Sequence, residues 1–403
     1  MKMTTNNIPQ GYKDSPLGII PEEWEIKKLG EVCIFIKSGK NKEKSNEGLF
    51  HVFGSTGIIG FTNKYVYNCP LLLIARVGAN AGFIYYINEK CDVSDNTLIL
   101  RLNSSYDFIF AYNQLKQYNL NRLIFGSGQP LITASLLKNI KISFPPLPEQ
   151  QKIAEVLSTW DKTIEKQSQL IEKLELRKKG LMQQLLTGKK RLSGFNGEWE
   201  KEKLGDIVQF FKSNTLSRER LGYSEGTILN IHYGDILIKY PTILDVSKNE
   251  IPFILDTTDF TSKDYINNGD VIMADTAEDG SVGKVCEIIN VGERKIVAGL
   301  HTIFIHPTIK FAPMFLGYYL NSDEYHKQIL SIMQGIKVYS ITKDALKKTY
   351  IKTPCIKEQY AIAEVLLSCD EEINLATKEL ELLQQQKKGL MQILLTGKKR
   401  LIR

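Results

Sequence analysis

The sequence predicts an α+β chain built twice over. Two α+β domains of short mixed and antiparallel strands each lead into a long helix. The two helices are expected to pair as an antiparallel coiled coil under a pseudo-twofold internal repeat. Three observations predict this. Glu149–Leu192 and Glu358–Leu401 align without a gap at an offset of 209 and agree at 25 of 44 positions, and their last 15 residues differ only at Gln184 against Ile393. A shorter marker, Trp24–Val32 (WEIKKLGEV), matches Trp199–Ile207 (WEKEKLGDI) at an offset of 175, so the stretch between marker and helix is 34 residues longer in the second copy. Those intervening stretches, Cys33–Pro148 and Val208–Pro354, do not resemble each other. Frames that repeat while their contents diverge describe one scaffold carrying two different surfaces. Such a chain meets a two-part target, or two copies of one partner.

The expected order is a first domain over residues 1–146, a first spacer helix over 147–190, a second domain over 191–355 and a second spacer helix over 356–403. A chain of 403 residues is long enough for two or three domains with cores of their own. Its 43% hydrophobic and 24% charged residues are those of a globular protein. No apolar run approaches the roughly 20 residues that span a bilayer, and MKMTTNNIPQ has no apolar signal core. Six cysteines at 33, 69, 91, 286, 355 and 369 form no CxxC pair and no zinc-finger pattern with histidine, so free thiols in a cytoplasmic protein are expected. The net charge of +7 permits a nucleic-acid partner without requiring one.

The helices follow from periodicity. Ile153, Leu157, Trp160, Ile164, Gln167, Ile171, Leu174, Lys178, Leu181 and Leu185 alternate by four and three. Ile362, Leu366, Cys369, Ile373, Ala376, Leu380, Leu383, Lys387, Leu390 and Leu394 keep the same track. That spacing is a coiled-coil seam. Prolines announce each helix (Pro145, Pro146 and Pro148; Pro354), and Gly188 or Gly397 is placed for a left-handed cap. A helix of about 38 residues is about 57 Å long, and it draws its stability from packing its stripe. A zipper between separate chains is the alternative to pairing within one. In-chain pairing is favoured because both copies carry a seam lysine, Lys178 and Lys387, of the kind that specifies register. Gly180 and Gly389 mark either a closely approaching partner or a kink. The Lys-Lys-Arg ends at 189–191 and 398–400 either touch phosphates or complement a helix terminus.

The variable stretches read as strands punctuated by glycine. In the first these are 50–53, 71–74, 82–86 and 97–100, with turns at Gly54–Gly57 and Gly78–Ala81. In the second they are 227–231, 270–274, 284–289 and 302–305. Gly128–Thr133 and Gly335–Thr342 then run toward the long helices.

Taken together, these residues resemble the specificity subunit of type I restriction-modification systems over nearly the whole chain. The carriers are Gly18–Trp24 (GIIPEEW), the run PPLPEQQKIA at 145–154 and the LLTGKKRL endings at 185–192 and 394–401. Gly54–Gly60, Ile74–Gly78, Ser94–Thr97, Gly269–Ile272 and Ala298–Thr302 look like target-recognition-domain motifs. The second copy departs at Thr353–Lys357, where the Pro-Pro-Leu-Pro pattern is mostly lost, and that blurs the helix start. The resemblance implies two target-recognition domains, each reading one half of a bipartite, asymmetric DNA site and held apart by paired helices. Those helices would also dock methyltransferase subunits, two of them, and through them restriction (motor-nuclease) subunits. Cofactors would be absent from this chain, with S-adenosylmethionine, ATP and magnesium on the partners.

Catalytic motifs do not contradict this. No phosphate-wrapping GxxxxGK[ST] is present, and Gly280–Lys284 lacks its spacing. No Asn- or Asp-Pro-Pro-aromatic run suggests a methyltransferase pocket, and the five histidines are scattered. Glu278-Asp279 reads as a solvated turn rather than a metal pair. A non-catalytic DNA-binding subunit is therefore the expectation, with a protein-binding coiled-coil adaptor or an enzyme with a cryptic site as the alternatives. DNA reading draws on Arg, Lys, Asn and Gln at base edges and on cations, hydroxyls and amides at phosphates. The candidates in the first domain are Lys37, Lys40, Lys42, Ser55, Arg76, Asn80, Ser127 and Gln129. In the second they are Lys212, Arg218, Arg220, Tyr223, His232, Tyr233, Lys284, His301, Lys337, Tyr339 and Ser340. Candidates for partner docking are Glu155, Gln183, Glu364 and Gln392. No metal ligand is expected.

Overall fold

The structure, a computed structural model, describes residues 8–42, 45–124, 131–255, 260–261 and 264–401. The chain divides into two compact units, Met1–Gln169 with Lys378–Arg403, and Leu170–Thr377. Each unit therefore contains the first part of one long helix and the last part of the other. This division differs from four consecutive segments because packing of apolar side chains, not chain order, decides which helix end joins which core.

In the first unit the marker strand Glu25–Lys28 pairs antiparallel with Lys141–Phe144, the strand just ahead of the long helix. A central antiparallel sheet follows, in the order Cys33–Ser38, Thr97–Leu102, Leu71–Ala75, Ile84–Ile87. A second sheet runs Gly57–Thr62, Phe50–Gly54, Lys90–Val93, Tyr67–Asn68, with Phe50–Gly54 parallel to Lys90–Val93. The run Leu71–Ala75 is apolar throughout because both of its faces are covered. Leu72 and Ile74 pack toward Trp24, Phe110, Ile153, Leu157 and Leu394. Leu71 and Leu73 pack toward Phe53, Cys91 and Val93. The alternation is the period of two expected of a strand.

The second unit repeats this plan. Glu200–Lys203 pairs with Tyr350–Thr353. The central sheet runs Val208–Phe211, Thr302–Pro307, Val271–Ala274, Val285–Ile289, and gains a fifth, parallel edge strand, Ile243–Asp245. The other sheet again has a parallel pair, Ile228–Ile231 with Lys295–Ala298. Val271 and Met273 face the helical side, whereas Ile272 and Ala274 face the second sheet. The greater length is concentrated in one place. Strands starting at 50 and 71 are 21 residues apart in the first unit, and their counterparts at 228 and 271 are 43 apart. The excess supplies the helix Tyr233–Ile238 and the strand Ile243–Asp245.

The marker's repeated Leu-Gly has a steric cause. A Cβ on Gly30 would lie 3.1 Å from Lys138 Cβ, and one on Gly205 would lie 2.8 Å from Lys347 Cβ. In both units the chain after the marker strand abuts the short segment that precedes the last strand.

The long helices are Leu147–Leu185 and Ile356–Leu394, 39 residues each, starting at the same register despite the divergent Thr353–Lys357. None of the twenty seam positions is exposed. In the first unit Lys387 forms an ion pair with Asp161, and Gln167 Nε2 donates to Glu379 Oε2 at 3.3 Å. In the second, Lys178 binds Asp370 at 2.5 Å and Arg177 pairs with Glu372. In both units partner numbers fall along one helix as they rise along the other. Both helices close alike: Lys190 N donates to Gln184 O (3.1 Å) and Lys399 N to Ile393 O (3.2 Å), with Gly188 and Gly397 at φ 69° and 70°. A Cβ at Gly180 or Gly389 would meet no atom within 4 Å outside its own turn of helix.

Candidate nucleic-acid interface

One rim of each unit is built on the same backbone hydrogen bonds. In the first, Ala75 N donates to Phe83 O and Gly82 N to Ala75 O, both at 2.9 Å, closing the turn after the central strand. In the second, Ala274 N donates to Lys284 O and Gly283 N to Ala274 O, again at 2.9 Å. Gly82 and Gly283 hold φ 93° and 87°, a left-handed conformation that glycine adopts without penalty. One residue further on, Arg76 N donates to Asn96 O (3.0 Å) and Asp275 N to His301 O (3.1 Å). Their carbonyls accept from Ile132 N and Ile341 N, each at 2.9 Å. Thr133 and Thr342 then cap the short helices Ala134–Lys138 and Lys343–Leu346. These bonds set Arg76 against Asp275, Asn80 against Ser281, Phe83 against Lys284 and Asn96 against His301.

Several candidates gather on this rim. In the first unit Lys37 lies one residue before the end of the first central strand, exposed, with its ammonium 4.4 Å from the Phe35 ring. Lys40 and Lys42 are exposed just beyond it. Arg76 is half-buried, with Nη1 donating to Ser38 Oγ at 3.2 Å. Asn80 sits in the following turn, where its carbonyl accepts from Phe83 N at 2.9 Å. Ser55 is half-buried in the other sheet's hairpin turn, and its carbonyl accepts from Tyr85 Oη. Ser127 and Gln129 lie outside the described residues.

In the second unit Lys212 is exposed past the first central strand. His301, at φ 53°, lies with Nδ1 3.5 Å from Asp275 Oδ1 and its ring edge-on to Tyr233 at 5.2 Å. Tyr339–Ser340 pairs with Thr276–Ala277, which brings that hairpin beside His301, and Lys337 is exposed at its tip.

Other candidates are spent on structure. His232 is 8% exposed and caps the helix Tyr233–Ile238, with Nδ1 accepting from Gly234 N at 3.2 Å. Burial holds its pKa below the usual histidine value. Lys284 donates from Nζ to Leu237 O at 2.9 Å. Arg218 pairs with Asp235 at 2.5 Å and donates to Tyr223 Oη at 2.9 Å, so Tyr223 belongs to that network. Arg220 is exposed ahead of the strand Leu221–Gly222.

Sequence reading passed over Asp275, and it placed Asn96 within the Ser94–Thr97 motif without naming it a contact candidate. Setting Leu71–Ala75 against Val271–Ala274 would have found Asp275 opposite Arg76, but the longer excursion hides that register.

The docking candidates face outward. Glu155 and Glu364 are exposed at equivalent helix positions, Glu155 with Lys152 at 2.7 Å. Gln183 donates to Asp323 Oδ2 at 2.7 Å, and Gln392 is exposed. Among the described residues no His, Cys, Asp and Glu cluster forms a metal site. Asp279 accepts from Ser281 N at 2.8 Å within a turn. No described helix is long and apolar enough to cross a membrane.

The family described as type I restriction modification DNA specificity domain matches residues 21–176 and 196–385, and the chain belongs to it. A curated relative, the type I restriction enzyme MjaVIII specificity subunit of Methanocaldococcus jannaschii, is 28% identical over 416 residues, covering 94% of this chain and 93% of that one. The fold is shared with the crystal structure of a type I restriction-modification system S subunit from M. genitalium. That likeness has a TM-score of 0.59 and 18% identity, and covers 98% of both chains. It is shared also with a chain of a structure on complex assembly and conformational transition of the type I restriction-modification system, with a TM-score of 0.58, 16% identity, and 94% and 99% covered.

Proposed function

We propose that this chain is the DNA-reading subunit of a type I restriction-modification complex. It recognises a bipartite, asymmetric site with one half-site per unit, while the long helices pair as an antiparallel coiled coil along their length and act as a spacer. The observation that carries this reading is the rim made twice on the same backbone bonds with different side chains. A shared frame approaches the duplex in the same way, and unlike side chains meet unlike base edges.

The chain contributes binding and spacing, not bond-making. Methyltransferase subunits dock on the outward helix faces around Glu155, Glu364, Gln183 and Gln392, and restriction subunits join through them in the cytoplasm. S-adenosylmethionine, ATP and magnesium act on those partners. Among the rim residues, Lys37, Lys40, Lys42, Lys212 and Lys337 hold phosphates, while Arg76, Asn80, His301, Tyr339 and Ser340 lie nearer the bases.

The test is genome-wide methylation mapping of cells expressing the chain with its methyltransferase subunit. Two unlike half-sites separated by a fixed, unread gap are expected. One uninterrupted motif would overturn the proposal. In parallel, affinity for the mapped duplex should fall by about 10³ to 10⁵ between 50 and 200 mM salt if 6–10 phosphates are neutralised. Salt-insensitive binding would favour a protein-binding adaptor.

A further inference from the structure

We infer that Arg76 and Asp275, which hold the same position on the two rims, are specificity-determining residues, Arg76 reading a guanine in one half-site and Asp275 a cytosine in the other. The inference rests on the DNA-reading function proposed above.

The two positions are equivalent by bonding. Each N–H is held by the loop before the last central strand (Asn96 O, His301 O), and each carbonyl by the residue ahead of the threonine cap (Ile132 N, Ile341 N). Each follows an alanine clamped by the glycine turn. The backbone therefore presents the side chain from one place in both units, and only its chemistry differs.

That chemistry is of opposite sign and only partly used. Arg76 has no carboxylate partner among the described residues, and its Nε is buried without a hydrogen bond. By contrast Arg191, Arg218 and Arg400 are each engaged by a carboxylate. The buried Nε is a cost inside the fold, whereas the Nη groups, with one bond to Ser38 Oγ between them, keep donors that suit a planar acceptor pair such as guanine O6 and N7. Asp275 accepts from Thr276 Oγ1 at 2.7 Å through Oδ1, which also lies 3.5 Å from His301 Nδ1, and no hydrogen bond reaches its Oδ2 among the described residues. A carboxylate on a surface that faces phosphates repels them, so it does not serve to hold the backbone. Its use is to accept from a base amino group, cytosine N4.

The experiment uses the chain in complex with its methyltransferase subunit. The wild-type motif is mapped first, and competition binding then follows with duplexes carrying every single-base change in that motif. Arg76→Gln should lower discrimination at one guanine roughly 10- to 100-fold and leave the other half-site's preferences unchanged. Asp275→Asn should do the same at one cytosine of the other half-site. Arg76→Lys, which keeps charge and bulk but loses the fork, should also relax that guanine. Variants that bind all duplexes more weakly with base preferences intact would overturn the inference, as would changes from both residues falling in one half-site. An uninterrupted wild-type motif would instead sink the function on which the inference stands.

Discussion

Arg400 reaches Glu149 across 251 positions of sequence, its Nε donating to Oε1 at 2.6 Å. The second unit repeats the bond, Arg191 to Glu358, through two donors at 2.6 Å. In each case the arginine just past one helix neutralises a glutamate in the first turn of the other, and the glutamates are 2% and 1% exposed. Trp24 Nε1 adds a second donor to Glu149, on Oε2 at 3.2 Å. These bonds explain why the LLTGKKRL endings and the Glu-Gln starts recur together.

Removing the arginine should therefore be severe. Arg400→Ala leaves the buried Glu149 with only the Trp24 indole N–H, and breaking a buried pair of this kind loses about 3–5 kcal/mol. Arg191→Ala removes both guanidinium donors from Glu358 and should destabilise in the same direction. Urea unfolding reads it, and a loss below about 1 kcal/mol would show that these pairs do not hold the helix ends.

The two cap glycines should respond unequally. Both have left-handed φ values, for which alanine costs roughly 1–2 kcal/mol. A Cβ on Gly397 would also fall 2.4 Å from Pro21 Cδ, whereas one on Gly188 meets nothing nearer than Trp199 at 3.4 Å. Gly397→Ala should thus destabilise distinctly more than Gly188→Ala in thermal unfolding, and equal effects would contradict the packing of Pro21.

Glu287 gives the second unit a pH dependence. It is almost fully buried, and burial raises its pKa to about 7 against 4.5, outweighing the amides of Gly317 and Met314 that it accepts from at 2.7 and 2.5 Å. The folded state therefore holds the proton where the unfolded state has lost it. This contribution to stability is complete below about pH 4.5, declines as pH rises and is gone above about 7, a span of about 3 kcal/mol. Glu287→Gln should flatten the slope of unfolding free energy between pH 5 and 8 relative to wild type. An unchanged slope would show that Glu287 does not titrate there.

The spacer reading predicts a length effect. Adding four residues to the first long helix extends it by about 6 Å, close to two base pairs. Methylation mapping should return the same half-sites with an altered gap. Altered half-site bases with the gap unchanged would refute the spacer.

The seam was legible because helical periodicity is local: Ile153 to Leu185 and Ile362 to Leu394 declare their inner face by spacing alone, and none of those positions is exposed. The central strands were legible for a similar reason, Leu71–Ala75 being an apolar run between glycine turns. The candidate interface was less so. His232 and Lys284 have the residue types of a DNA surface, yet one caps a helix and the other binds a carbonyl. A residue type says what a side chain is able to bond and not what lies within reach.

By itself, then, the sequence determined the doubled plan, the helix registers and the strand segments, since each rests on patterns within a few turns of chain. Only the tertiary structure decided that Glu149 belongs to Arg400 and that Arg76 and Asp275 share a position. Those relationships depend on backbone bonds between segments far apart in sequence, across an excursion whose length differs between the two copies.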